Sequence, residues 1–425
     1  MKKSRNILRH FGAFFGVLAA LYALLFFSAL IPNHALAQNM ESSGSYFADQ
    51  SYYPNQNGRF QSIADNRADQ LLVNIAWHIG EGNPLTAVID TRYYDGENSA
   101  LRTGLYQSVS QDLAPNTPYP QYWHGSAAFV RFAHLFTDTQ GMKIIGLWLL
   151  CGLLLANVAL LIQKGHWELG LCLVISLLSV QFGNLRLSIT YQPCFFLCLG
   201  FCPAFILLER RGDSALTLLC VLSGAATAFF DFLTTETLPL LLPLILVVAI
   251  RAKEGRLAAF PWRLLLSCGL CWGAAYAGAF VCKWALVSLL TGQNHFATGL
   301  LAAGKRLDTA PDTSLPPFLS GILANLSVFF GSSRRVDPGR VCWGLAVSAA
   351  LLAPGYVWLK RAEPRRNGAL AALLLGALAL ARFALLGNHS YLHEFFTYRA
   401  LCATVMAVLT AFVLNIRLPR KEVGP

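Results

Sequence analysis

Residues 210–256 read RRGDSALTLLCVLSGAATAFFDFLTTETLPLLLPLILVVAIRAKEGR, and this stretch decides the fold. Two apolar runs, 214–231 and 236–250, are joined by an acidic turn and bounded at their far ends by arginine and lysine. A helix crosses a bilayer with about 20 apolar residues at ~1.5 Å rise each, so the pair reads as two spans that cross and return. The second run is short and is expected to extend into its flanks. Cytoplasmic loops carry the excess of Lys and Arg, so Arg210, Arg211, Arg251, Lys253 and Arg256 belong inside and the turn FDFLTTETLP outside.

Working outward from this hairpin, further apolar runs lie at 11–32, 143–163, 168–185, 188–208, 263–283, 341–359, 367–387 and 399–416. The expectation is an all-α polytopic membrane protein with about ten transmembrane helices, both termini cytoplasmic, in the cell membrane. Lys2, Lys3, Arg5 and Arg9 precede the first run, and Arg263 follows the sixth. Lys360, Arg361, Arg365 and Arg366 separate the eighth and ninth, and Arg417, Arg420 and Lys421 close the chain. All are then on one side, and removing one span would invert everything downstream and break the agreement. Segment 316–331 is short and broken by Pro and Gly, as a re-entrant or interfacial helix would be. The chain divides into residues 1–32 (tail and first span), a long extracytoplasmic segment 33–142, and a multi-span region 143–425 with external loops near 283–340 and 388–398. MKKSRNILRH followed by an apolar run and His34-Ala-Leu-Ala-Gln38 also resembles a signal peptide. Its run exceeds the roughly 7–15 residues of a signal h-region, which favours a retained anchor.

Composition agrees. Of 425 residues, 55% are hydrophobic and 13% charged, against roughly a quarter charged in soluble domains. The net charge of +11 comes from clusters between apolar runs. It forms no basic stripe interleaved with aromatics, so nucleic acid is not an expected partner. The eleven cysteines lie in or beside apolar runs, which excludes a disulfide-stapled external domain. Cys194, Cys198 and Cys202 share a helical face as packing residues. There is no phosphate-cradling loop, dinucleotide fingerprint or serine nucleophile elbow.

Chemistry is then sought outside. IADNRADQLLVNIAW (63–77) reads as a helix with Asp65 and Asp69 four apart on one face, near Arg67. They are either a solvated helix start or a pair of carboxylates, one acting as a base or metal ligand. Asp90, Asp95 and Glu97 mark a turn. Tyr122, Trp123 and His124 fit an interfacial aromatic belt or a sugar-stacking surface. Asp231 and Glu236 sit at the membrane edge among phenylalanines, where a carboxylate calls for a partner. His389 and His393 share a helical face as zinc ligands do, without further ligands at diagnostic spacing. No metal is assigned, although a divalent ion is compatible. Arg382 lies inside the ninth span, either paired with Asp231 or Glu236 or holding a lipid phosphate. Arg186 and Arg399 are weaker cases of the same argument.

The basic tail, the long external segment after the first span, the short later loops, FFDFLTTETLP and the external arginines together resemble the GT-C superfamily of membrane glycosyltransferases. DNRADQLLVNIAWHIGEGNPL, YPQYWHG, FFDFLT and NHSYLHEFFTYR are also similar to segments of bacterial integral membrane proteins. The resemblance implies transfer of a sugar from a polyprenyl-phosphate lipid donor to an external glycan, lipid or protein acceptor. Asp69 or Asp65 would be the base, Arg382 and Arg399 with His389 or His393 would stabilise the departing phosphate, and Tyr122 and Trp123 would stack on sugar. A transporter or flippase, or a non-catalytic scaffold, are the alternatives. A crevice over Asp65 or Asp69 favours transfer, and a cavity at the midplane favours transport.

Overall fold

The computed structural model describes residues 2–96, 101–307, 315–358 and 365–415. Glu97, Lys360, Arg361, Arg417, Arg420 and Lys421 lie outside the described residues. The chain is helical almost throughout. Helix α1 (Lys2–Ala29) leads into α2 (Ala37–Asp49), α3 (Asn66–His78), α4 (Pro84–Ala87), α5 (Leu101–Gln111) and α6 (Ser126–His134). A two-residue ladder, β1 (Arg92–Tyr93) with β2 (Thr117–Pro118), is the one sheet among the described residues. Then follow α7 (Thr139–Gln163), α8 (Trp167–Ser179), α9 (Pro193–Leu208), α10 (Asp213–Phe230), α11 (Leu238–Lys253) and α12 (Trp262–Thr291). The chain continues through α13 (His295–Leu307), α14 (Pro317–Phe329), α15 (Pro338–Trp358), α16 (Arg366–Leu385), α17 (Gly387–Leu392), α18 (Glu394–Thr397) and α19 (Leu401–Asn415).

Among the described residues, seven segments are long and apolar enough to cross a membrane: 6–29, 139–163, 189–211, 213–230, 262–291, 366–385 and 394–415. The three other expected spans correspond to α8 and α11, helices of 13 and 16 residues, and to α15, a helix of 21 residues. The 168–185 run breaks at Gln181, whose backbone is left-handed (φ 58°), and continues as 3-10 turns. Helix α11 is short for a different reason. Every residue from Leu238 to Ile250 is buried, so it is a central post of the bundle with little lipid to meet.

Packing follows membrane rules, with small residues letting backbones approach. Helices α10 and α12 meet at Gly224, where a Cβ would collide with the Trp272 carbonyl. Around α11 lie α9, α16 and α19, sharing one large apolar core. A second core joins α2, α3, α5 and α6 to the ends of α1 and α10 through Met40, Phe47, Leu72, Ile75, Leu25 and Phe229. Segment 33–142 is thereby packed onto the bundle. Arg131 is its buried tie, donating to the carbonyls of Ser28 (2.8 Å), Ala76 (2.6 Å), Trp77 (3.2 Å) and Ile31, and to Asn33 Oδ1. Ser28, Ala76 and Trp77 lie in the last turns of α1 and α3, where carbonyls lack partners within their own helices.

The two ends of the bundle differ in chemistry. At the start of α10, Glu209 bonds Arg256 at 2.6 Å, Arg251 reaches Asp213 at 2.8 Å and Arg210 reaches Glu254 at 2.7 Å. The other end of α10 lies about 27 Å away at ~1.5 Å per residue and carries Asp231 and segment 33–142.

Candidate functional site

A crevice of about 440 Å³ opens at that second end. Helix α3 supplies its carboxylate. Asp65 caps the helix by accepting from the Ala68 N–H at 2.9 Å, the bland role open to it, and it also borders the crevice. It is only 5% exposed, and burial pushes its carboxyl up to about 7, against the pull of the Ala68 bond.

Asp69, one turn on, does a different job. It has no exposure and pairs with Lys143 Nζ at 2.8 Å. Its Oδ1 accepts from Ser188 Oγ (2.5 Å) and from the Thr190 N–H (3.1 Å). A carboxylate so enclosed ties α3 to α7 and to the turn before α9. It does not border the crevice, which corrects its candidacy as the base.

The aromatic wall comes from the turn between β2 and α6. Tyr119 and Tyr122 line the crevice with ring centroids 5.7 Å apart, and Tyr122 stacks on Phe232 at 5.9 Å. Trp123 turns the other way. It is 2% exposed, donates Nε1–H to the Ala279 carbonyl at 2.8 Å and packs on Phe229 at 5.2 Å, so it props the wall and cannot stack on a ligand. His124 has a left-handed backbone (φ 54°) and is buried. Its Nε2 lies 2.9 Å from the Tyr119 carbonyl, so that nitrogen carries the proton. Burial, helped by Lys283, holds it neutral down to about 3. The turn puts Tyr122 on the crevice side and Trp123 against Phe229. The adjacent Gly125 N–H and Ser126 hydroxyl fix the register by donating to the carbonyls of Phe229 (2.9 Å) and Phe230 (2.8 Å).

The floor is the turn between α10 and α11. Asp231 accepts from the Thr234 hydroxyl (2.6 Å) and N–H (3.0 Å), and burial raises its carboxyl to about 6. Glu236 takes Arg382 Nε at 2.9 Å and Nη2 at 3.0 Å, a bidentate pair. Nη2 also donates to the Leu233 carbonyl (3.1 Å), and Nη1 to Ser390 Oγ (3.2 Å). Arg382 therefore serves the internal pair, and the alternative of a lipid phosphate on it is set aside. The clamp holds Leu233 in a left-handed backbone (φ 61°) and presents Phe232 and Thr234 to the crevice. Asp231, Glu236 and Arg382 shape the site without bordering it.

His389 and His393 do border the crevice, with rings 4.8 Å apart. His389 Nε2–H donates to the Leu233 carbonyl at 2.8 Å, while His393 stacks on Phe396 at 5.3 Å. Burial and the surrounding arginines push both below their ordinary value, His393 to about 4, so both are neutral at pH 7. His393 Nδ1 is buried without a hydrogen-bond partner. Among the described residues no three His, Cys, Asp or Glu converge as a metal would need. Arg399 sits apart from the crevice, buried between the rings of Tyr191 (4.5 Å) and Tyr398 (5.0 Å).

The positive charge in the crevice comes instead from Arg67, Lys305 and Arg306. Arg306 donates to the Tyr122 hydroxyl and lies over that ring at 5.5 Å. Lys305 and Arg306 end α13, inside the expected 283–340 loop, where a basic pair runs against the side assigned to the other clusters. That anomaly was the available signal. One near-neutral carboxyl facing three cations and a row of tyrosines suits an anionic ligand with hydroxyl-rich or ring-shaped parts. Comparison of the chain with protein-family models, curated proteins and solved structures finds no match.

Proposed function

We propose that this chain is a ten-span cell-membrane glycosyltransferase of GT-C type, with cytoplasmic termini and the crevice on the outer face. It moves a sugar from a polyprenyl-phosphate donor to an extracytoplasmic glycan, lipid or protein. The observation that carries this reading is the meeting of Asp65 with Arg67, Lys305 and Arg306 in one tyrosine-lined crevice.

The donor phosphate lies against Arg306, whose planar fork suits phosphate oxygens, with Lys305 and Arg67 adding charge. Tyr119 and Tyr122 flank the sugar. Asp65 takes the proton of the acceptor hydroxyl as its oxygen attacks the anomeric carbon. The bond from that carbon to the phosphate oxygen breaks, and polyprenyl phosphate leaves with the bonding pair. Its new charge falls where the three cations stand, so they stabilise the transition state more than the ground state. Neutral His393, with its free Nδ1, accepts a hydrogen bond from a sugar hydroxyl.

The test uses membranes containing the full chain and a panel of polyprenyl-phosphate sugars. Transfer is expected from the unchanged protein and absent in Asp65→Asn and Arg306→Ala at equal protein amounts. Transfer surviving in Asp65→Asn removes the base and the mechanism with it. Net movement of a lipid-linked substrate across vesicles, with no new glycosidic bond, supports the flippase alternative instead.

A further inference from the structure

Helix α13 uses its faces unlike its neighbours. Gly299 is buried against the Trp284 ring, and Ala302 and Arg306 follow at spacings of three and four on the side that borders the crevice. The opposite side is apolar and uncovered. Leu300 is 64% exposed, Leu301 69% and Leu307 58%, with Phe296 also exposed. Thr298 and Lys305 form a polar edge between the two sides.

The helix before it explains that uncovered side. Helix α12 is among those long and apolar enough to cross a membrane, and its last turns expose Leu286, Leu289 and Leu290, Leu289 by 84%. Only Gly292, Gln293 and Asn294 separate the two helices, and Gly292 turns the chain with a left-handed backbone (φ 70°). An exposed apolar surface thus runs off α12 and, after one tight bend, onto α13. Helices with leucines on one side and Lys or Arg at a polar edge lie in the membrane interface, apolar face ~5–10 Å into the boundary region.

We propose that α13 is an interfacial helix whose partner is the lipid leaflet at the crevice end, and that this contact holds Lys305 and Arg306 at the crevice. On the protein side His295, at the start of α13, bonds Ser288 Oγ (3.0 Å) and Thr291 Oγ1 (3.1 Å) of α12, and the other end of α13 is held at two points. Arg306 meets Tyr122, and Asn388 Nδ2 donates to the Lys305 carbonyl at 2.8 Å. The bilayer therefore completes the cationic wall. An anionic amphiphile reaches the wall from the membrane with its tail still in lipid. That last step rests on the phosphate reading of the crevice, whereas the placement of α13 does not.

The experiment places an environment-sensitive fluorescent amino acid at Leu301, at Leu289 or at Thr298 of the full chain, in phosphatidylcholine nanodiscs with acyl-chain-brominated lipid. Leu301 is expected to be quenched like Leu289 and more strongly than Thr298. An unquenched probe at Leu301 beside a quenched one at Leu289 overturns the proposal. In the same nanodiscs, the double variant Leu300→Glu with Leu301→Glu is expected to bind undecaprenyl phosphate about tenfold more weakly than the unchanged chain. Unchanged affinity overturns the claim that lipid contact holds the cations. Arg306→Ala reports separately: undiminished undecaprenyl phosphate binding there overturns the phosphate reading, while quenching alone decides where α13 lies.

Discussion

Asp65 and Asp69 share a helical face, and their surroundings divide the labour between them. Asp69 faces Lys143, with side-chain exposures of 0% and 6%, so removing its charge strands an ammonium in a dry interior. Such a loss costs about 3–5 kcal/mol. Asp69→Asn is therefore expected to lower thermal stability in detergent or reduce the folded protein recovered. Asp65→Asn is expected to leave both near normal, because asparagine still caps α3, and to remove transfer. A pH profile separates these roles further. Burial raises the Asp65 carboxyl to about 7, so the base form is scarce below that pH and accumulates above it. The logarithm of kcat/KM is expected to rise with pH up to about 7 and then level. His393 and His124 are neutral well below that range and add no limb there. A profile flat from pH 5 to 8 would argue against Asp65.

At the scale of elements, the turn between α10 and α11 shows how a costly intramembrane charge is used. Arg382 sits 4% exposed on α16, bonded bidentately to Glu236. Removing one partner of such a pair is expensive, whereas replacing both by apolar residues of similar volume is often near neutral. Arg382→Met is expected to destabilise the protein by about 3–5 kcal/mol, and the double variant with Glu236→Met to recover most of that. The double variant still loses the bond to the Leu233 carbonyl. Activity is therefore expected to recover less than stability, which thermal melts and transfer assays on the same samples will show. Gly224 makes the matching point for packing. With the Trp272 carbonyl against it, Gly224→Leu is expected to force α10 from α12 and to cost about 1–3 kcal/mol, read as a lower melting temperature.

For the whole molecule, the decisive measurement is sidedness. A reporter inserted at exposed Gly82 is expected to be active only when it faces away from the cytoplasm, and activity on the cytoplasmic side would turn the proposed arrangement over. The apolar runs were legible because the bilayer imposes a length and a composition on any helix that crosses it. Hydropathy alone marks where the apolar helices lie. It cannot distinguish lipid from protein as the apolar surroundings, and α11 is apolar all round because protein encloses it. Of the candidate site, the sequence determined that α3, YPQYWH, FDFLTTE and NHSYLHE carry the polar groups, since polar residues between apolar runs stand out. Only the tertiary structure decided which of them meet. It turned Tyr122 toward the crevice and Trp123 away, gave Arg382 to Glu236, enclosed Arg399 between two tyrosines, and brought Lys305 and Arg306 across from a distant helix. The reason is physical: whether a charge is paired or free depends on neighbours far along the chain, and local pattern holds no record of them.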